Sequence, residues 1–261
     1  MLDQLGKYFV IEKASEWHKR YLQQAQWTRS LRRYLFDRVK ITESSNILEV
    51  GSGTGAIFID SPYLTNGSHF GLDINYINLN LSSDFLPELN LLQADASHIP
   101  IISDSFDIVF CHFLLLWVSN PINILSEMVR ITRPSGVVMV LAEPDYGGRI
   151  DYPPSLEQLG KSQMKSLRLQ GADPLIGRKL ASLFSKSGLE KIETGVLGGQ
   201  WKLPPPKDDW EIEWYVLESD LHGLLSEHQI IHLKELDADA WLEGNRILYV
   251  PTFYACGVVP K

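Results

Sequence analysis

Three glycines fall within five positions in "NILEVGSGTGAIF" (46–58), directly after a short apolar run, and Glu49 stands two residues before the first of them. At the end of a strand such a turn lets backbone approach a ligand closely, because a Cβ there would collide with it. A carboxylate inside an apolar run is costly to bury unless a cation or a hydrogen-bond donor meets it. Asp73 closes a second apolar run, "HFGLD" (69–73). A carboxylate at that place can accept two hydrogen bonds from vicinal ribose hydroxyls, although aspartate at a strand end also serves as a helix cap.

Two cofactor chemistries fit these residues at first. The nicotinamide pattern G-x-G-x-x-G/A can be laid on Gly51, Gly53 and Ala56, and the pattern E-x-G-x-G-x-G on Glu49, Gly51, Gly53 and Gly55. Dinucleotide and S-adenosyl cofactors both carry a ribose for Asp73. Glu49 separates them. A pyrophosphate would worsen its burial by repulsion, whereas a ligand bearing an ammonium and a sulfonium would offset it.

The elements that must hold these residues alternate. A helix is expected over 11–39, from Trp17, Tyr21, Leu31, Leu35 and Val39. Strands are expected at "NILEV" (46–50), "HFGLD", "LNLLQAD" (89–95), "FDIVFCH" (106–112) and "VVMVLAEP" (137–144). A helix over 122–136, stopped by Pro134 and Gly136, precedes the last of these. Short, nearly continuous apolar strands of this kind imply an α/β, doubly wound, mostly parallel sheet covered on both faces. The segment 173–199 reads as a helix, a stop at Gly188 and a strand. The segment 246–260 reads as one closing strand with Pro251 at a bulge or edge. Two such strands without a regular crossover helix suggest an antiparallel finish. Between them lies a Trp-rich, acidic stretch, 200–245, in which "LPPPKDDW" reads as a rigid turn.

Composition narrows the function classes. With 261 residues, 44% hydrophobic and 21% charged, the chain is that of a globular protein with one sizeable core. No apolar run approaches the roughly 18 residues that span a bilayer. The charged N-terminus does not read as a signal peptide, and Cys111 and Cys256 are too few and too far apart for a disulfide framework or a cysteine metal site. A cytoplasmic setting is the expectation. The net charge of −8 argues against nucleic acid as a partner. The basic cluster 28–40 reads as a solvated helix face.

Four stretches, "ILEVGSGTG", "GLDIN", "LLQADASHIPIISDSFDIVFCHFLLLWVSNP" and "EMVRITRPSGVVMVLAEPD", stand in an order that resembles the motifs of class I S-adenosylmethionine-dependent methyltransferases. The likeness is strongest to the small-molecule branch that includes ubiquinone and menaquinone biosynthesis enzymes. It covers about residues 40–145, and "GRKLASLFSKSGL" with the final strand extends it to the C-terminus. It implies a Rossmann-like, seven-stranded sheet with an antiparallel final strand, one structural unit in which 1–40 is a helical cap and 41–261 carries cap insertions near 145–175 and 200–245. It implies S-adenosyl-L-methionine as cofactor and a small-molecule acceptor. The backbone of Gly51, Ser52, Gly53 and Gly55 would pass beneath the methionine and ribose. Glu49 would hold the methionine end, and Asp73 the ribose hydroxyls. Ile74 would pack on the adenine, Asp95 would accept from its amino group unless it only caps its loop, and the amide of Ala96 would face a ring nitrogen. Cys111 would be a small packing residue touching the cofactor through backbone. His112 would be placed to take a proton from the acceptor, or else would be packed in the core.

The helix after the glycine turn, "AIFIDSPYLTNG", departs from the family in being short and broken by Pro62. "CHFL" replaces the Asn/Asp-Pro-Pro-aromatic motif of enzymes that methylate nucleobase or glutamine amides. Glu143 and Asp145 lack a third partner for a magnesium site, and His228 and His232 lack one for a transition metal, so no metal is expected. Acceptor contacts are expected from "EPDYGGRIDYPP", with Tyr146 and Arg149 as candidates, and from aromatic caps containing Trp17, Tyr21, Trp27, Trp201, Trp210, Trp214 and Tyr215. Two other readings stay open: a nicotinamide-dependent oxidoreductase, and a cofactor-binding partner protein without catalysis.

Overall fold

A computed structural model of the protein describes residues 2–39, 41–61, 67–198 and 205–261, with side chains from Ala14 onward. Helix α1 (Leu2–Asp37) leads into β1 (Asn46–Val50), the one-turn helix α2 (Ala56–Ile59), β2 (Ser68–Asp73), α3 (Tyr76–Phe85), β3 (Asn90–Gln93) and β4 (Phe106–Cys111). Next come α4 (Pro121–Ile131), β5 (Thr132–Pro144), β6 (Ile150–Tyr152), α5 (Glu157–Leu169), α6 (Leu180–Lys186) and β7 (Glu190–Val196). The chain closes with α7 (Lys207–Leu221), α8 (Glu227–Leu242), β8 (Ile247–Tyr249) and β9 (Thr252–Val258).

The main sheet has seven strands in the order β3-β2-β1-β4-β5-β9-β7, and β9 runs antiparallel to both of its neighbours. Strand β1 is flanked by β2 and β4, with Val50 opposite Leu72 on one side and Cys111 on the other. The strand order therefore reverses at β1, and a crevice opens beyond its carboxyl end, where ligands bind in open α/β sheets. Alternation along the strands supplies two cores. Leu48, Val50, Val109 and Val140 pack with Leu125 and Met128 of α4, while Ile47, Ile108, Phe110 and Met139 pack with Leu35 and Phe36 of α1. The second half of α1 is thus part of the layer that covers the sheet, as well as a cap.

Several expected boundaries move. The helix expected over 122–136 ends at Ile131, and Thr132 to Gly136 begin β5. Thr132 donates its hydroxyl to the Met128 carbonyl (2.6 Å) and is paired with Phe106, and Arg133, preceding Pro134, is disfavoured in a helix. The single strand expected over 246–260 is two. β8 pairs with β6 in a separate small sheet, β9 enters the main sheet, and Pro251 between them gives its carbonyl to the Asp145 amide (2.8 Å). The expected rigid turn at 203–210 is helical from Lys207, with Pro206 as its cap. α1 extends the expected helix back to Leu2. Pro62 and Trp201 lie outside the described residues. Among the described residues no helix is long and apolar enough to cross a membrane.

A third core, with Leu159, Trp214, Leu217 and Leu233, joins α5, α7 and α8 above the crevice. Asp237 fixes it to the small sheet. One carboxylate oxygen accepts from Trp210 Nε1 (2.7 Å) and Trp214 Nε1 (2.8 Å), and the other accepts from Arg246 Nε (2.5 Å). Arg246 continues to Asp151 (2.9 Å), which also receives Arg149 (2.6 Å). Replacing Asp237 by Ala leaves a buried guanidinium without one of its two anions and should cost about 3–5 kcal/mol. Urea unfolding is the measurement, and a midpoint equal to that of the native protein would contradict this role.

Candidate active site

The glycine turn is built from the ends of β1 and β2. The amides of Gly51 and Ser52 both donate to the Leu72 carbonyl (2.7 and 2.9 Å), and the Gly53 amide donates to Asp73 Oδ2 (2.8 Å). The other oxygen of Asp73 accepts from the Asn75 amide (2.8 Å). Gly51, Gly53 and Gly55 have φ of +75°, +52° and +76°. They differ in what surrounds them. A Cβ on Gly55 would lie 2.7 Å from Ser82 Oγ, and one on Gly51 would lie 2.9 Å from Leu114 Cδ1. A Cβ on Gly53 would meet no protein atom closer than Tyr21, 3.7 Å away. The outer glycines are tightly packed, and the middle one would meet only the Tyr21 ring, at ordinary contact distance.

Beneath the turn, Glu49 is 2% exposed, and its Oε2 has no hydrogen-bond partner; the buried Ser52 Oγ has none either. Both residues line the crevice. Burial pushes the Glu49 carboxyl well above the usual range, Arg32 opposes this and Asp73 adds to it. Arg32 is fully buried, donating to Thr28 Oγ1 (2.6 Å), Ser61 Oγ (3.2 Å), the Ala25 carbonyl and Asp60. The expectation of a solvated face for 28–40 is therefore wrong at Arg32, though Arg33 and Arg38 do point outward. The spacing of Ala25, Thr28, Arg32 and Leu35 already placed Arg32 on the apolar face of the helix.

Beside the turn is a cavity of about 300 Å³ lined by Asp73, Ile74, Asp95, Ala96, Leu114 and Trp117, among others. Ile74 is 67% exposed at its edge. Asp95 also caps its loop. Its Oδ1 accepts from the Ser97 amide (2.8 Å), and hydrogen bonds from Ser97 hold its carboxyl below the usual range. Cys111 is fully buried and lines neither cavity; burial drives its thiol well up, with Glu143 and Glu49 adding.

A larger cavity of about 1360 Å³ shares Gly51, Asp73, Leu114 and Trp117 with the smaller one and runs up to Tyr146, Arg149 and α7. Helix α1 forms its roof. His18 Nδ1 pairs with Thr54 Oγ1 (2.7 Å), Tyr21 lies over Gly53, and Arg20 binds Glu213 of α7 (2.5 Å). Gln23 donates to the Asp209 carbonyl (3.0 Å). Trp17, Trp27 and Trp210 also line this space, whereas Trp214 is buried behind it and Tyr215 meets Trp17 edge-on at 6.3 Å.

His112 faces the cavity with its Nε2 on Thr28 Oγ1 (3.1 Å). Burial, with Arg32 in second place, lowers it to about 3. The imidazole is therefore neutral and weakly basic where it stands, against Thr28 at the cavity wall. Arg149 is held by Asp151 (2.6 and 3.1 Å) and by Gln163. Burial pushes the Tyr146 hydroxyl up to about 12, so it is a hydrogen-bond donor at neutral pH. Glu143, weighed in the sequence only as a metal ligand, instead receives the amides of Leu114 (2.9 Å), Leu115 (2.6 Å) and Leu116 (3.1 Å), and burial raises it to about 8. It shapes the loop that forms the wall between the two cavities. Asp145 is engaged by Arg178 (2.7 Å), and His228 and His232 lie on an exposed face of α8.

The family described as Methyltransferase domain matches residues 48–140. A demethylmenaquinone methyltransferase of Renibacterium salmoninarum is 32% identical over 123 residues, 46% of this chain and 51% of that protein. The chain spans about half the length of the curated relatives it matches. Among solved structures, a chain of the complex between the Haloferax volcanii Trm112 methyltransferase activator and a methyltransferase has a TM-score of 0.59 at 16% identity, covering 96% of this chain and 95% of that one. Phosphoethanolamine N-methyltransferase 2 of Haemonchus contortus, in complex with S-adenosyl-L-methionine, has a TM-score of 0.58 at 15% identity, covering 87% of this chain and 51% of that one. At these identities the two structures show a shared fold.

Glu49 gives this site a pH signature. Below its raised pKa the carboxyl is protonated, and a ligand carrying positive charge favours the ionised form. Binding of S-adenosylmethionine should therefore release a proton and tighten as pH rises through that pKa, then level off. Calorimetry in buffers of different ionisation enthalpy measures the release. Glu49→Gln should abolish it, and unchanged proton release in that variant would contradict the assignment.

Proposed function

We propose that this chain, whose residues 48–140 form a class I S-adenosylmethionine-dependent methyltransferase domain, moves a methyl group from that cofactor to a small-molecule acceptor held under the α1 and α7 cap. The observation that carries this reading is the continuity of the cavity from two unpartnered buried atoms, Glu49 Oε2 and Ser52 Oγ, past the open side of Gly53, to the aromatic cap. The turn fits the cofactor because each orphan atom seeks a partner and Gly53 leaves room for one.

When bound, the cofactor supplies an electrophilic methyl group on a positively charged sulfur. The chain's own residues then bind and orient. Glu49 would meet the ammonium end, Asp73 would accept from the ribose hydroxyls, and Ile74, Ala96 and Trp117 would enclose the adenine, with Asp95 at its edge. Helix α1 excludes water, which strengthens every charge interaction beneath it. His112, tied to Thr28, would orient the acceptor. Alignment of the acceptor in the cavity against the cofactor would supply the main acceleration. The likeness to the Renibacterium salmoninarum enzyme and the net charge of −8 support a small molecule rather than nucleic acid as acceptor.

A thermal-shift panel with S-adenosylmethionine, S-adenosylhomocysteine, NAD(H), NADP(H) and ATP tests this function. A ligand at about 100 times its dissociation constant stabilises by about 2.7 kcal/mol, so the two S-adenosyl compounds should raise the melting temperature. Asp73→Ala should remove that rise. Stabilisation by NAD(H) without stabilisation by S-adenosylhomocysteine would overturn the reading in favour of an oxidoreductase.

A further inference from the structure

The cap end of the large cavity contains more ionised groups than an apolar acceptor would need, and most of them cancel. Arg20 is paired with Glu213. Arg149 and Arg246 share Asp151, and Arg246 is also bound by Asp237. Each of these sets is neutral. Asp220, on α7, is different. It is 8% exposed and lines the cavity, and its hydrogen bonds come from two uncharged amides, Gln163 Nε2 (2.8 Å) and Gln170 Nε2 (3.1 Å).

Gln163 on α5 and Gln170, the residue that caps its C-terminus, stand seven residues apart, two helical turns, and both reach Asp220 of α7. Gln163 is oriented by Arg149, which donates to its carbonyl oxygen, so its NH2 is turned toward Asp220. A carboxylate has about four acceptor sites, and one amide on each oxygen leaves capacity for another donor. Burial pushes this carboxyl up, the two glutamines pull it down, and Arg20 and Glu213 act on it with opposite signs. A buried anion whose hydrogen bonds come from neutral amides, and whose nearby Arg20 is opposed by Glu213, is costly, and a cation arriving in the cavity would offset that cost. Trp210 and Trp17 line the same space, and Arg20 already lies over the Trp27 ring at 4.7 Å. Aromatic faces of this kind also favour positive charge.

We infer that Asp220 is the docking point for an ammonium group, and that the acceptor class of this cavity is a small amine. The inference rests on the methyltransferase reading and deepens it by naming what the cap recognises. Gln163 and Gln170 act as positioning residues that hold the Asp220 carboxylate toward the cavity. The ammonium is the recognition group, and the reacting atom lies elsewhere on the acceptor, toward Gly53.

The test uses the full chain saturated with S-adenosylhomocysteine and three probes of one shape: phenethylamine, 2-phenylethanol and phenylacetate. Calorimetric titration should show phenethylamine binding at least about tenfold more tightly than 2-phenylethanol, with phenylacetate weakest, as expected for one desolvated charge pair. Asp220→Asn keeps the shape of the side chain and one acceptor oxygen, removes the charge, and turns the other oxygen into an NH2 that Gln170 can meet by turning its amide. It should abolish the preference while leaving S-adenosylhomocysteine affinity unchanged. Equal binding of the three probes to the native protein, or a preference for phenylacetate, would overturn the inference without recourse to any variant. A preference that survives Asp220→Asn would also overturn it. Failure of the native protein to bind S-adenosylhomocysteine is a separate result, which would overturn the methyltransferase reading and this inference with it.

Discussion

The Gly53 amide donates to Asp73, and the amides of Gly51 and Ser52 share the Leu72 carbonyl. Through these bonds β2 dictates the path of the chain leaving β1, and the left-handed backbone of the turn follows from them. The rest of the site is arranged around that path. Gly55 starts α2 against Ser82 of α3, and Gly51 packs on Leu114 in the loop after β4. Glu143 then holds that loop by three amides. A shift of the turn would displace both cavities at once, because Gly51 and Asp73 belong to each.

Charge burial sets the second level of organisation. Glu49 and Arg32 are both in the interior on the α1 side of the turn, close enough for Arg32 to oppose the upward push of burial on the carboxyl. Arg32 is committed to Asp60 and to Thr28, and Glu49, which lines the crevice, keeps an unsatisfied oxygen. The cap follows the opposite rule. Its arginines are matched to carboxylates, and Asp220, whose hydrogen bonds come from neutral amides, lies on the cavity wall. At the glycine turn Glu49 thus carries an unsatisfied carboxylate oxygen, whereas the cap carboxylates Glu213, Asp220 and Asp237 are hydrogen-bonded.

Much of the sheet was legible in the sequence because its strands are buried on both faces and read as apolar runs. β1 coincides with "NILEV", and Asp73 ends β2 as its position suggested. The end of α4 was misplaced by five residues because the sequence offers Pro134 and Gly136 as stops, while the actual stop is strand pairing at Thr132, a tertiary contact. Pro251 marked a break, and only the partner strand β6, a hundred residues earlier in the chain, makes that break a change of sheet. The burial of Arg32 was written in helical spacing but masked by its basic neighbours. The depressed basicity of His112 comes first from its burial beneath α1, a tertiary contact, and second from Arg32. The cap geometry rests on long-range pairs, such as Arg20 with Glu213, that no local pattern encodes.

The central claim is that one continuous space joins the glycine turn to the α1 and α7 cap, so that cofactor and roof form one binding unit. Hydrogen–deuterium exchange with and without S-adenosylhomocysteine tests it most directly, because ligand binding stabilises locally the segments that enclose it. Slower exchange is expected together at 51–55, at 73–75 and along 14–31 of α1. Protection confined to regions outside the glycine turn, or protection of the turn with no change in α1, would contradict the account.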